Sequence, residues 1–381
     1  MSGVAIVGAA ESDLGVTNRS ILGLQAQAVT RALADAGLSL RDVDGIATTG
    51  VSRFSATQLA DYFGLQPSWT DSTYAGGSAF EMFVARAAQA IEAGQAKTVV
   101  ISFASNQRSA RSRSMDGGVE THVPQAQFEV PYAPLFPLSY YAMAAQRYLH
   151  VFGGTRAQLA EVAVAAREWA LLNPAAFRYQ AGPISEQDVL AARMVSSPLT
   201  VADSCLVTDG GGAVVLTSTE RARHLRRQPV WVLGYAERTT NASMTSQGDL
   251  TVTGAVQSGA EALAGAGLTA ADIDVAEVYD SFTITTVLTL EALGFCGRGE
   301  GLDFIAEGRI RPGGELPVNT SGGGLSYCHP GQFGVLLLVE AVRQLRGEAG
   351  ARQVLGARHA LAHGTGGILS THATVILGVD S

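Results

Sequence analysis

Residues 32–44 read Ala-Leu-Ala-Asp-Ala-Gly-Leu-Ser-Leu-Arg-Asp-Val-Asp, and residues 262–274 read Ala-Leu-Ala-Gly-Ala-Gly-Leu-Thr-Ala-Ala-Asp-Ile-Asp. Eight of the thirteen positions are identical, and Ser39/Thr269 and Val43/Ile273 are near-equivalent. Each copy is typical of an apolar helix that ends at glycine, followed by an Asp-rich turn and a buried strand. One repeat, 230 residues away in a chain of 381, indicates two homologous halves and not a solenoid array.

The composition fits a large buried core. Hydrophobic residues make up 47% of the chain and charged residues 16%, which favours a compact α/β protein long enough for two domains. The net charge of −8 argues against nucleic acid as a partner, because phosphate binding needs a positive surface. The sequence shows no apolar run long enough to span a membrane and no charged region before its first apolar run. We therefore expect no membrane association, no signal peptide and a cytoplasmic location.

The three cysteines are Cys205, Cys296 and Cys328, an odd number spread far apart without a CxxC pair. This spacing predicts neither a disulfide framework nor a metal site. Cys205 and Cys296 are expected to be buried as small hydrophobic residues.

Alternating strand and helix patterns predict a layered α/β architecture with two halves, residues 1–225 and 226–381. Residues from about 106 to 195 interrupt the first half and are expected to form an inserted loop domain. The polar, Arg-rich passage Arg221–Pro229 is the predicted joint. The predicted elements are strands Val4–Val7, Thr98–Phe103, Val230–Ala236, Val275–Tyr279, Ala357–His363 and Thr371–Gly378, a strand within residues 203–216, helices Ile21–Ala36, Gly76 to about Ala93, Tyr140–Phe152, Arg156–Leu172, Val256–Gly265 and Ile284–Leu293, a loop and helix over Ser321–Leu345, and a turn-rich passage at Tyr62–Trp69.

Three segments are unlike ordinary packing: residues 278–282, which end a buried strand with polar groups, and the glycine-rich stretches 319–334 and 362–367. Glycine clusters let the backbone approach a ligand and aim N–H groups at developing negative charge. A tyrosine and a histidine in such a loop, Tyr327 and His329, suit an acid/base pair.

These segments and the duplication together resemble the thiolase superfamily over essentially the whole chain. The family motif Asn-Glu-Ala-Phe, or His-Asp-Cys-Phe in the lipid-transfer subgroup, falls on Tyr279-Asp280-Ser281-Phe282. The family's Gly-His-Pro loop falls on Cys328-His329-Pro330, and its C-terminal Cys-x-Gly-Gly loop on Gly364-Thr365-Gly366-Gly367. Residues 203–210 are also similar to a stretch of the lipid-transfer-type thiolases. The resemblance implies a thiolase fold, with duplicated halves forming an α-β-α-β-α core.

The departures from the family pattern concern its two cysteines. The nucleophilic cysteine corresponds to Gly77 and the acid/base cysteine to Gly364. Without a thiolate there is no route to an acyl-enzyme, so Claisen chemistry is not expected. Ser78 is a conceivable substitute nucleophile, but no base is assigned to it. Cys328 stands where the family has glycine and is not expected to act as a nucleophile.

The residues that remain fit a retro-aldol cleavage, which needs a base, stabilisation of an enolate and a proton donor, but no covalent intermediate or metal. The chain resembles the aldolase branch of the lipid-transfer-type thiolases, which cleaves β-hydroxyacyl-CoA side chains of steroids. The resemblance implies that Tyr279 and Tyr327 are acid/base residues, that His329 polarises the thioester carbonyl and that Asp280 orients its neighbours. The alternatives are that the tyrosines pack in the core and that Asp280 caps the following helix.

No covalently bound cofactor is expected; coenzyme A enters as part of the substrate. The residues predicted to contact it are Gly77, Ser78, Gly364 and Gly366 around the thioester and Arg111, in the run Arg108–Arg113, at the phosphates. A solvated loop is the alternative interpretation of that run.

The predicted activity is that of a carbon–carbon lyase. Two alternatives stay open: an acyltransferase with an unusual nucleophile, and an inactive subunit that binds acyl-CoA or lipid as a scaffold. The resemblance further implies a homodimer formed through the first half and a small zinc-containing OB-fold partner, which together make a heterotetramer.

Overall fold

The computed structural model describes residues 3–50, 52–114 and 121–379; the outermost ends of the two predicted halves and a short part of the predicted insertion lie outside these ranges. The strands are β1 (Val4–Glu11), β2 (Gly45–Ala47), β3 (Trp69–Asp71), β4 (Thr98–Ser105), β5 (Met194–Ser196), β6 (Leu199–Thr200), β7 (Gly210–Ser218), β8 (Val230–Thr239), β9 (Val275–Val278), β10 (His359–Gly366) and β11 (Thr371–Gly378). The helices are α1 (Ile21–Ala36), α2 (Ser55–Phe63), α3 (Ala79–Glu92), α4 (Pro124–Phe128), α5 (Leu138–Phe152), α6 (Arg156–Leu171), α7 (Glu186–Ala191), α8 (Thr219–Ala222), α9 (Ala255–Ala266), α10 (Thr283–Ala292), α11 (Gly301–Ile305) and α12 (Gly334–Leu345).

Nine strands form one mixed sheet in the order β3-β2-β4-β7-β1-β8-β11-β10-β9. Its centre is the antiparallel pair β1–β8, joined at Ala5↔Trp231 and Ile6↔Val230. Reading outward from this pair, β1-β7-β4-β2 on one side repeats β8-β11-β10-β9 on the other. The duplication read from the sequence is therefore a symmetry of the sheet.

The outer helices α1 and α9 carry the repeated sequence. They end at Gly37 and Gly267, whose φ angles of 71° and 70° are in the left-handed region that favours glycine. The turns that follow are closed by matching capping boxes, Ser39 with Asp42 and Thr269 with Asp272. The repeat thus builds the same helix–turn–strand unit twice.

A second repeat lies on the central strands and was not among the predictions. Residues 4–11 read Val-Ala-Ile-Val-Gly-Ala-Ala-Glu and residues 230–237 read Val-Trp-Val-Leu-Gly-Tyr-Ala-Glu. In both strands the pairing register is irregular just before the glycine. In the β1–β7 pairing the irregularity lies between Ile6 and Gly8. In the β8–β11 pairing it lies between Val232 and Gly234. A Cβ at Gly8 would stand 2.1 Å from the carbonyl oxygen of Ala32, and one at Gly234 would stand 2.2 Å from that of Ala262. Glycine lets each outer helix pack directly on its strand.

The inner helices α3 and α12 are buried along almost their whole length and contact strands of both halves. Val4 and Ile6 of β1 face this inner layer, whereas Ala5 and Val7 face the outer core with α1. The layers therefore follow one another as outer helices, strands, the inner helices α3 and α12, strands, and outer helices. The predicted thiolase fold is confirmed, with the strands of the two halves joined edge to edge through β1 and β8 into one sheet.

Several boundaries differ from the predicted ones. The passage predicted as turn-rich contains the end of α2, which stops at Gly64, and the start of edge strand β3. The helix expected from Gly76 begins at Ala79, after a 3-10 turn over Gly76–Ser78. The boundary between the halves near residue 225 and the extent of the insertion stay predictions. Within the described ranges, no helix is both long and apolar enough to cross a membrane.

Candidate active site

Tyr279 and His329 are joined by a hydrogen bond between Tyr279 Oη and His329 Nε2, 2.8 Å long. Tyr279 directly follows β9, and His329 lies in the loop that precedes α12. Both side chains are buried, with exposed fractions of 5% and 6%. The structure therefore brings together the two strongest candidates from the sequence.

Burial keeps both groups neutral. It raises the pKa of Tyr279 well above its usual value, with further contributions from Cys205, Tyr141 and Asp280. Burial also lowers the pKa of His329 to about 3, assisted by the positive charge of Arg113. A neutral imidazole can accept a proton, and a neutral phenol can pass one on.

Asp280 holds the glycine-rich loop in place. Its Oδ1 accepts a hydrogen bond from the Gly324 N–H at 2.6 Å, and its Oδ2 accepts one from Leu325 at 3.2 Å. Burial raises the pKa of Asp280 to about 7, although these two hydrogen bonds oppose the rise. Helix α10 has Phe282 at its N-cap, with no side-chain cap hydrogen bond, so Asp280 is not its cap.

Tyr327 is buried but has different surroundings. Its ring packs edge-on against Phe333, with centroids 6.5 Å apart. Burial raises its pKa, and the charges that contribute next are Glu11 and Arg343, which form an ion pair. The charged groups around Tyr279 and His329 are Asp280 and Arg113 instead. The charges that affect the pKa of Tyr327 thus differ from those that affect Tyr279 and His329, and the catalytic role of Tyr327 stays a prediction.

Gly77 lies against the ring of Tyr279. A Cβ at Gly77 would stand 2.0 Å from Tyr279 Cε2 and 2.6 Å from the Thr365 carbonyl oxygen. Tyr279 therefore occupies the space that a side chain would need at Gly77, the position predicted for the family's nucleophilic cysteine. The Tyr279 ring can occupy this space only because residue 77 is a glycine without a Cβ.

Gly364 is the position predicted for the second family cysteine, and a carboxylate fills the space beside it. A Cβ at Gly364 would stand 2.1 Å from Glu81 Oε2 and 2.6 Å from the Ser78 Cα. Glu81 is 1% exposed and was not among the predicted site residues. The available signal was a carboxylate one helical turn after Gly77, inside an otherwise apolar helix.

Ser78 and Gly366 hold the loop around residues 75–78 against the end of β10. The Ser78 hydroxyl donates to the Ala75 carbonyl at 2.9 Å and lies 2.8 Å from Thr371 Oγ1. A Cβ at Gly366 would stand 1.8 Å from the same carbonyl oxygen. Neither partner of Ser78 is a base, so the structure gives this hydroxyl no means of activation.

Arg111 lies in a cleft of about 590 Å³ that is also lined by Arg108 and Arg113. The loop is anchored by Asp209, which accepts from the Ser109 N–H at 2.9 Å. The cleft reaches Val207, next to Thr208, whose Oγ1 accepts from the His329 N–H at 3.0 Å. The arginine cleft therefore reaches the residue that precedes Thr208, the binding partner of the His329 backbone.

The three cysteines are free; Cys328 is buried, whereas Cys205 and Cys296 are only half-buried and not, as expected, fully buried. Burial raises the pKa of each thiol to about 12. Cys328 Sγ lies 3.2 Å from Thr208 Oγ1 and faces no base. Thiols with such a pKa are poor nucleophiles. Among the described residues, no cluster of His, Cys, Asp and Glu is arranged to hold a metal ion.

Residues 236–379 match the model of the thiolase C-terminal domain-like family. The chain is 38% identical to the 17-hydroxy-3-oxo-4-pregnene-20-carboxyl-CoA lyase of Mycobacterium tuberculosis, over 94% of this chain and 95% of that one. The chain belongs to the thiolase superfamily. It is also 38% identical to the steroid side-chain-cleaving aldolase of Thermomonospora curvata, over 90% of each chain.

The solved Ltp2-ChsH2(DUF35) aldolase superposes with a TM-score of 0.90 at 34% identity, over 99% of this chain and 98% of that chain. The resemblance to the aldolase branch that the motifs predict is therefore confirmed.

Proposed function

We propose that this protein cleaves a carbon–carbon bond of a β-hydroxyacyl-CoA by a retro-aldol reaction, giving a ketone and a shortened acyl-CoA. The observation that carries the proposal is the Tyr279–His329 hydrogen bond, formed over a glycine at the position where a thiolase needs its cysteine. The relatives named as lyase and aldolase support it.

The first step removes the proton from the substrate hydroxyl. Tyr279 Oη accepts this proton while it passes its own proton to Nε2 of His329. The O–H electron pair forms the ketone, the Cα–Cβ bond breaks, and its electrons move onto the thioester as an enolate. Burial lowers the pKa of His329 to about 3, which keeps the imidazole neutral before the reaction and makes it a weak base, so it holds the proton only briefly. With the hydrogen on Nε2 instead, His329 would polarise the thioester carbonyl, as the sequence resemblance implies.

Coenzyme A is assigned to the cleft of Arg108, Arg111 and Arg113, because guanidinium groups pair well with phosphate oxygens. The cleft reaches Val207, next to Thr208, whose hydroxyl binds the His329 backbone, so we assign the phosphates to this cleft and the thioester to the Tyr279–His329 pair. The backbone at Gly77, Ser78, Gly364 and Gly366 would contact the thioester end.

The acyl group is assigned as a steroid side chain, because the two lyase and aldolase relatives carry steroid substrates in their names. By similarity to the Ltp2-ChsH2(DUF35) aldolase, the chain is proposed to act with a partner. We assign that partner as a small zinc-containing OB-fold protein, bound to a homodimer of this chain in a cytoplasmic heterotetramer.

The test uses the chain co-expressed with its OB-fold partner and a β-hydroxyacyl-CoA that has a tertiary hydroxyl on a steroid ring. Mass spectrometry should detect the ketone and the shortened acyl-CoA without added free CoA. Tyr279→Phe should lower the rate by about 10²- to 10⁴-fold, since the acid/base group is lost. The control is Tyr62→Phe, which alters an exposed tyrosine of α2.

Tyr327→Phe separates the two predicted tyrosines. Because the charges that affect the pKa of Tyr327 are Glu11 and Arg343 and not those around Tyr279, we expect a loss of less than about ten-fold, well below that of Tyr279→Phe. Exchange of acyl groups that depends on free CoA, with no ketone formed, would refute the aldolase and favour an acyltransferase. Tight acyl-CoA binding without either reaction would favour the scaffold.

A further inference from the structure

Glu81 is a buried carboxylate without a hydrogen-bond partner. Neither Oε1 nor Oε2 has a partner among the described residues, and the side chain is 1% exposed. Burying a carboxyl group without hydrogen bonds is unfavourable, and most proteins avoid it. Its presence in the central layer needs an explanation other than stability.

Two glycines from separate elements make room for this carboxyl group. A Cβ at Gly364 of β10 would stand 2.1 Å from Glu81 Oε2, and one at Gly334 of α12 would stand 2.6 Å from the same atom. The Gly334 Cβ would also stand 2.2 Å from the Gly77 carbonyl oxygen. Gly77 in turn lies against the Tyr279 ring, so the carboxyl group and the Tyr279 ring both lie close to the Gly77 backbone.

The fold itself does not require a carboxylate here. Gly77 and Arg86 are nine residues apart on the α3 side, as Gly334 and Arg343 are on the α12 side. On this spacing Glu81 corresponds to Leu338, which is fully buried in the other half. An apolar side chain therefore fills the symmetric place.

The proposed cleavage must also deliver a proton to the enolate carbon. This proton can come from the Tyr279–His329 pair, which has taken one from the substrate hydroxyl, or from a second acid. Two carboxyl groups close to Tyr279 or Gly77 have a raised pKa: about 7 for Asp280 and about 8 for Glu81. Both oxygens of Asp280 accept backbone N–H groups, whereas those of Glu81 have no partner among the described residues, so Glu81 is the better candidate for a second acid.

We propose that Glu81 is the acid that protonates the α-carbon of the thioester enolate after the carbon–carbon bond has broken. This assignment rests on the proposed retro-aldol function. The enolate oxygen re-forms the carbonyl, the α-carbon takes the proton of Glu81, and the Glu81 carboxylate remains. The proton held by His329 returns to Glu81 through solvent after the products leave, so the cycle is balanced.

The test separates proton transfer at the α-carbon from cleavage. The complex with the OB-fold partner is incubated with propionyl-CoA in D2O, and exchange of the α-hydrogens is followed by NMR. The wild type should exchange them, and Glu81→Gln, which keeps the size but loses the proton, should exchange at least about 100-fold more slowly. Tyr279→Phe should keep the exchange while it loses cleavage.

Cleavage of the β-hydroxyacyl-CoA by Glu81→Gln should fall by a similar factor. The cleavage rate of the wild type should decrease as the pH rises through about 8, where Glu81 loses its proton. The remaining cleavage rate of Glu81→Gln should not decrease over the same pH range. Glu81→Leu, which copies the other half, should fold with an unchanged or higher unfolding midpoint and be equally impaired, which excludes a merely structural role.

A wild type that exchanges through Glu81 but does not cleave would refute the aldolase and leave the assignment of Glu81 intact. A wild type that cleaves, with Glu81→Gln within three-fold of it in both assays, would overturn the assignment of Glu81 and leave the aldolase intact. Absence of exchange in the wild type would also overturn the assignment.

Discussion

Helices α3 and α12 occupy matching places in the two halves, yet their first turns differ. Helix α3 begins after Gly77 and carries Glu81, whereas α12 follows the His329 loop and carries Leu338 at the matching position. The outer helices α1 and α9 differ far less, since both end at a left-handed glycine and both continue into a capping box. The parts whose sequence is repeated in both halves belong to the scaffold, and the parts that differ between the halves carry the groups to which we assign chemistry.

Part of the inner layer has nevertheless kept its symmetry. Glu11 of β1 pairs with Arg343 of α12, and Glu237 of β8 pairs with Arg86 of α3 at 3.0 Å. Each strand thus binds the inner helix of the opposite half. These crosswise pairs hold the halves in register around the site, while the residues at the helix starts are free to differ.

The largest expected effect comes from returning a side chain to the divergent helix start. In Gly77→Ala, the new Cβ would collide with the Tyr279 ring, so the ring must move and its hydrogen bond to His329 must lengthen. We expect cleavage to fall on the order of 10²-fold, a loss that a small misplacement can cause. Steady-state kinetics measures it, with Gly248→Ala, which adds a Cβ in open space, as the control.

If Gly77→Ala kept the wild-type rate, Tyr279 could not be the group whose position matters. The difference between the two helix starts would then have another cause.

The second effect concerns the repeated scaffold. Gly8→Ala and Gly234→Ala each place a methyl group against a carbonyl oxygen of an outer helix, at 2.1 and 2.2 Å. We expect each to lower the free energy of unfolding by about 2–3 kcal/mol, because overpacking forces the helix from its strand. Urea unfolding of both variants checks this. A large effect in one half and none in the other would contradict the equivalence of the two strands.

The scaffold could be predicted from the sequence because short, local sequence patterns determine its helix ends, turns and strands. The Gly37 and Gly267 helix stops, the Asp-rich turns and the apolar strands each reflect a short stretch of chain, and α1 has the predicted bounds. The short helix α2 and edge strand β3 were missed, since neither has a long periodic pattern. The predicted helix start at Gly76 ignored the 3-10 turn that brings this loop against β10.

The candidate site could be predicted only in part. Tyr279, Asp280 and His329 stand in motifs, so their sequence positions were informative. Glu81 has no motif, and its importance depends on space left by Gly334 and Gly364, which lie more than 250 residues away. The surroundings of Tyr327 depend in part on Glu11, which is more than 300 residues away.

The smallest expected effect compares one pair of matching carboxylates in the outer turns. Asp44 Oδ1 accepts from the N–H groups of Lys97 and Thr98 at 2.8 Å each, and Asp274 Oδ2 accepts from those of Arg358 and His359 at 2.8 and 2.9 Å. Each carboxylate thereby fixes the start of an inner strand, β4 or β10.

Asp44→Ala and Asp274→Ala should each lower the free energy of unfolding by about 1 kcal/mol, since the freed N–H groups can reach water in part. The double variant should lose about 2 kcal/mol, because sites far apart act additively. Asp→Asn keeps an acceptor oxygen and should recover most of each loss. Urea unfolding again supplies the measurement. Unequal losses would mean that the two aspartates contribute differently to the free energy of unfolding although their hydrogen bonds match. Matching hydrogen bonds would then not be enough to show that two positions have the same structural role.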